Sequence, residues 1–180
     1  MQAFSSQVDK MEKYQIQFSG LKPGLHNFEF TLDHTFFEHY SYSDITACEI
    51  KVFTVMEKEE RMLVFNFDIR GNLDMECDRC GDPLNIEISG KQNLVVKLSD
   101  RYEEESEDVQ IIKESDGRFD ISQFLYEYVC LMLPAHRVHQ NDSKGKSLCN
   151  PDVIKRLEDP NLTHEPDPRW EVLRKLKEEE

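Results

Sequence analysis

The chain contains no apolar run near the ~20 residues that a membrane-spanning helix requires, which argues against a transmembrane anchor. Residues 1–6 lack the basic stretch and apolar core of a signal peptide, so none is expected. Cysteine is sparse and odd in number, at five, and no dense disulfide spacing occurs. Reduced thiols in a cytoplasmic protein fit that pattern. Positive charge is scarce as well: 22 Lys/Arg stand against 36 Asp/Glu, a formal net charge of −14. Nucleic-acid binding draws on cations that neutralise phosphates, so a general RNA-binding surface is disfavoured. There is no HExxH pair, no GxSxG elbow and no phosphate-binding P-loop, and enzymatic activity is not expected.

The charge is unevenly spread. Residues 1–133 carry 13 Lys/Arg against 26 Asp/Glu, a balance of −13, whereas residues 134–177 carry 9 against 7. An acidic body of this kind suits a basic protein partner. Only the C-terminal third leaves room for direct RNA contact, with Arg137, Lys144 and Lys146 as its candidates.

Eleven Phe and six Tyr are enough for a core in a chain of 180 residues, and period-two alternation sets its form. Residues 14–18 and 25–32 read as strands separated by the turn Lys22-Pro23-Gly24. Asp33 can cap a short helix carrying Phe36, Phe37 and Tyr40. Cys48, Ile50, Val52, Thr54 and Met56 share one face of a third strand. Leu63, Phe65, Phe67, Ile69, Leu73 and Met75 share one face of a fourth, with Gly71 suggesting a bulge. Leu84, Ile86, Ile88, Leu94, Val96 and Leu98 do the same on a fifth, and residues 109–112 suit a sixth. Asp120 with Gln123 has the spacing of a capping box. It opens a helix whose stripe Ile121, Phe124, Leu125, Tyr128, Val129 and Met132 ends before Pro134. Asp167-Pro168 starts a last helix. The expected fold is α+β: a twisted antiparallel sheet, open or closed toward a barrel, with one packed helix and a C-terminal helix. The expected organisation is a disordered stretch over 1–12 and a single domain over 13–177. Within that domain, 134–166 is irregular and 167–177 helical. The acidic run 100–108 reads as a solvated loop.

Cys77-Asp78-Arg79-Cys80-Gly81 lies in the turn between two long strands. Two thiols at this spacing can grip one metal ion, and a glycine that accepts positive φ lets the backbone amides turn toward the sulfurs. The pair supplies half of a tetrahedral zinc site. Cys130 and Cys48 adjoin apolar faces and read as small buried hydrophobes. Cys149 sits in an irregular polar segment with no core to explain it, and His139 lies ten residues earlier in the same segment. A metal held by Cys77, Cys80, His139 and Cys149 would pin that long loop. His136 competes with His139 for the fourth position. A thiol oxidoreductase would need a βαβ setting that the cysteine pair lacks.

These features together resemble the YceD family, the large ribosomal RNA subunit accumulation proteins. The resemblance rests on Cys77-x-x-Cys80-x-x-Pro83, Asp120-Ile121, Glu127 with Leu131-Met132-Leu133-Pro134, His139, Cys149, and Asp167-Pro168-Arg169-Trp170 with Leu173 and Leu176. It implies a factor for large-subunit ribosomal RNA accumulation or subunit assembly, without specifying a mechanism. It also implies a structural Zn²⁺, with the position of His139 taken by Cys or His among relatives. The implied partner is the large-subunit precursor, through a small basic ribosomal protein. A zinc-ribbon RNA-binding protein is the competing reading.

Overall fold

The computed structural model describes residues 12–40, 43–99 and 109–158. The expected disorder over 1–12 falls almost wholly outside them, as do the acidic run 100–108 and the expected helix 167–177. The chain divides into two compact units: Met1–Glu76 with Pro83–Arg137, and Cys77–Asp82 with Val138–Glu180.

The first unit is built on a five-stranded sheet in the order β2 (Gly24–Asp33), β3 (Ala47–Lys58), β4 (Met62–Glu76), β5 (Pro83–Leu98) and β6 (Val109–Ile112). Strands β2 to β5 are antiparallel neighbours and form a meander, as the alternation predicts. The sheet is open, with β2 and β6 at its edges among the described residues. β6 runs parallel to β5 rather than antiparallel. β1 (Gln15–Gln17) does not join this sheet but pairs with β7 (Arg118–Asp120) as a separate two-stranded ribbon.

The inner face of the sheet is the apolar face read from the sequence. Ile50, Val52, Met56, Leu63, Phe65, Ile69 and Val96 are completely buried. Each such side chain contributes about 1.5–3 kcal/mol by leaving water. Helix α1 (His34–Phe37) brings Phe36 and Phe37 into this core, and the Asp33 carboxylate caps it by accepting from the Phe36 amide at 3.3 Å. Helix α2 (Ser122–Met132) lies over the sheet against β5. Its buried stripe is Leu125 and Val129, continuing the fully buried Ile121 at a spacing of four residues.

Three local expectations are corrected. Asp120 ends β7 and Ile121 occupies the cap position of α2, although the Asp120 carboxylate still accepts from the first helical amide, that of Ser122, at 2.8 Å. The Gln123 side chain donates to Glu127 on its own helix instead of closing a capping box. Cys130 faces outward and is exposed, because the buried stripe passes through 125 and 129 and leaves 130 on the far side. Gly71 marks no bulge, since its pairing with Ile50 and Ile88 is in unbroken register. Glycine is needed there for close approach. A Cβ would collide with the Glu49 carbonyl oxygen and stand 2.6 Å from Ile50 Cα.

No helix among the described residues is long and apolar enough to cross a membrane.

Candidate metal centre

All four proposed ligands belong to the second unit. The turn after β4 is shaped by backbone hydrogen bonds: the Gly81 amide donates to the Cys77 carbonyl and the Cys77 amide to the Asp82 carbonyl, both at 2.9 Å. Gly81 adopts φ 75°, the left-handed conformation anticipated for it.

The other half of the site is also a turn, although its sequence shows no period. The Asp142 amide donates to Lys146 O at 2.7 Å, and the Leu148 amide donates to Gln140 O at 3.1 Å. Asn141 bridges Ser147. The Asp142 carboxylate accepts from the Lys144 and Lys146 amides at 2.8 Å each, and Gly145 turns the chain at φ 80°. Folding residues 140–148 back on themselves brings His139 and Cys149 together. Directly afterwards, Asn150 caps helix α3 (Pro151–Leu157), accepting from the Asp152 amide with Pro151 in the first turn. The stretch 134–166 is therefore not irregular throughout.

Cys77, Cys80, His139 and Cys149 present ligand atoms that all lie within 4.8 Å of one another. The Cys77 and Cys149 sulfurs are 3.9 Å apart, and Cys80 Sγ lies 3.5 Å from His139 Nδ1. A tetrahedral site with metal–sulfur bonds of about 2.3 Å and metal–nitrogen bonds of about 2.0–2.1 Å has ligand–ligand edges of roughly 3.8 Å for S···S and roughly 3.6 Å for S···N. The two measured edges match those lengths, so the donor set can hold a metal ion. His136 is exposed and is not part of the group.

The electrostatics favour a cation. Burial opposes a charge on Cys77, yet the amides of Cys80, Arg79 and His139 outweigh it and bring its thiol down to about 6. Cys149 is lowered as well, first by the Ser147 hydroxyl, against the cost of burial. For Cys80 the Asn150 amide favours the thiolate. Burial and the neighbouring Cys77 and Cys149 sulfurs nevertheless prevail, and its thiol is raised. Three sulfurs this close do not all ionise unaided, because like charges at short range repel. A divalent ion removes that repulsion.

Ser147, Asp142 and Asn150 support the site without having been singled out in the sequence. The run Asn141-Asp142-Ser143-Lys144-Gly145 is a turn signature that would have located one of them, Asp142. Of the three candidate RNA-contacting cations, Arg137 belongs to the first unit and pairs with Asp44 at 3.6 Å. Lys144 and Lys146 are exposed on the Gly145 turn.

A family model described as "Large ribosomal RNA subunit accumulation protein YceD" matches residues 65–177. The match runs through β5, α2 and all four ligands. No significantly similar curated protein and no similar solved structure was found.

Proposed function

The chain belongs to the YceD family of large ribosomal RNA subunit accumulation proteins, and from that premise we propose that it is a non-enzymatic, cytoplasmic factor for assembly of the large ribosomal subunit. Its second unit is held by a structural Zn²⁺ on Cys77, Cys80, His139 and Cys149. The observation that carries the metal assignment is the convergence of four ligand atoms within 4.8 Å, two of whose separations match tetrahedral edges. Three thiolates and one imidazole suit zinc. When bound, the ion supplies cross-linking and charge neutralisation. A site filled by four protein ligands leaves no open position for substrate.

Each ligand has a definite part. Cys77 and Cys149, both buried, close the inner side of the cluster. Cys80 and His139 close the outer side. The amides of Cys80, Arg79 and His139 favour the Cys77 thiolate, the form that binds a cation.

The acidic body engages a basic protein of the large-subunit precursor, as the −13 balance of residues 1–133 supports. The competing reading, a zinc-ribbon RNA binder, draws its support from the exposed Lys144 and Lys146. The deciding experiment is co-sedimentation of the full chain with large-subunit precursor particles, set against binding to purified ribosomal RNA at matched salt. Association with particles and weak binding to naked RNA is the expected result. Tight, salt-sensitive binding to the RNA alone, lost on changing Arg137, Lys144 and Lys146 together, would establish the competing reading. Metal analysis of the purified protein should give one zinc per chain.

A further inference from the structure

The outward face of the sheet carries an apolar row that the period-two pattern does not require. In register across all five strands stand Leu25 (β2), Glu57 (β3), Val64 (β4), Val95 (β5) and Val109 (β6). Their strand neighbours Met56, Leu63, Leu94 and Val96 point into the core, so the row lies on the opposite face. It spans four interstrand steps, roughly 19 Å. Val55 and Phe53 extend it along β3, at 37% and 46% exposure, and Leu25 is 68% exposed. Polar residues begin alongside Val55, whose cross-strand neighbours are Asn27 and Asn66 with Asn93 next to them, and Phe53 stands between Glu29 and Asp68. A cluster of apolar side chains, Leu25, Val55, Val64 and Val95, set around one carboxylate and bounded by polar residues on an otherwise wet sheet face is the form of a docking surface.

Charge selects the occupant. The exposed Glu57 stands in the middle of the row. Two copies of this face stacked on each other would confine two carboxylates between apolar side chains, which like-charge repulsion and desolvation oppose. The net charge of −14 likewise opposes an anionic membrane surface or RNA. We infer that this row is the docking site for a basic protein segment, one that lays apolar side chains on Val55, Val64 and Val95 and sets a Lys or Arg over Glu57. The inference rests on the assembly-factor reading and locates the surface through which that factor holds its partner.

The test uses the full-length, zinc-loaded chain with a photo-crosslinking phenylalanine analogue at position 55, and at position 72 as the control. Asn72 is exposed on the same sheet face, far from the row. The probes are purified large-subunit precursor particles and the protein fraction extracted from them. Crosslinking from position 55, and not from 72, to a peptide rich in Lys and Arg is expected. The double variant F53T/V55T should weaken binding to the extracted proteins by about tenfold or more. E57K should weaken it further than E57Q. All three changes are on exposed positions, and circular dichroism verifies the fold of each variant. Crosslinks between copies of the chain, or to RNA, would overturn the inference. So would particle binding unchanged in F53T/V55T, a result that leaves the assembly reading standing with its surface elsewhere. Failure of the unmodified chain to associate with particles at all would instead defeat the assembly reading.

Discussion

Gly71 and Cys48 show how single residues are constrained by what approaches them. At Gly71 the obstruction is backbone, the Glu49 carbonyl and Ile50 Cα, and backbone within a paired strand cannot rotate aside. Gly71→Ala should therefore lower stability by about 1–3 kcal/mol, read as a reduced urea midpoint at unchanged slope. Cys48 lies half-buried with its thiol donating to the Leu32 carbonyl at 3.6 Å, and burial pushes its pKa up to about 12. At pH 8 only about one molecule in ten thousand then carries the reactive thiolate. Alkylation of the native protein at that pH should leave Cys48 unmodified, as peptide mass mapping can check.

Among the elements, α2 and the two turns that carry the candidate metal ligands depend on different forces. α2 is held by its apolar stripe, and Leu125→Ala should cost about 2–5 kcal/mol through lost burial and the cavity left behind. The two turns of the second unit bury few apolar side chains, Cys77 and Cys149 among them. Their mutual position should rest on the metal. Chelation, or Cys80→Ser, should release hydrogen-exchange protection in residues 77–82 and 138–158 while β3 to β5 remain protected. Equal loss of protection in both units would mean that the site supports the whole fold. Asp142→Ala removes the acceptor of two turn amides, and zinc affinity should fall by about tenfold.

For the molecule as a whole, charge sets the behaviour. Given the proposed assembly role, the acidic balance of residues 1–133 should make association with a basic partner ionic-strength-dependent. Raising salt from low to above physiological concentration should shorten the lifetime of the complex with precursor particles and slow its formation, measurable by co-sedimentation and stopped-flow mixing. An apolar contribution from the row through Val64 and Val95 should leave a residual, salt-independent affinity.

Strand identity was legible from the sequence, because the inward positions within 47–58, 62–76 and 83–98 are mostly apolar at a period of two and a one-residue slip would turn a whole apolar face toward water. The Asp33 cap and the left-handed Gly81 were equally local, since each depends on a few neighbouring bonds. Other features depended on distant partners. Three-residue β7 is too short to show a period, and it exists because β1 pairs with it. Asp120 has the spacing of a cap, but the ribbon takes its backbone, which shifts the cap position to Ile121 while the carboxylate still reaches the Ser122 amide. Parallel β6 takes its direction from pairing with β5, which four residues of local pattern do not encode. At the metal centre, residue chemistry nominated Cys77, Cys80, His139 and Cys149, with His136 still in competition. Only the folded second unit, by turning the chain at Asp142 and Gly145, brought His139 beside Cys80 and left His136 exposed. Ligand type is a property of a side chain, whereas a tetrahedron is a property of four positions in space.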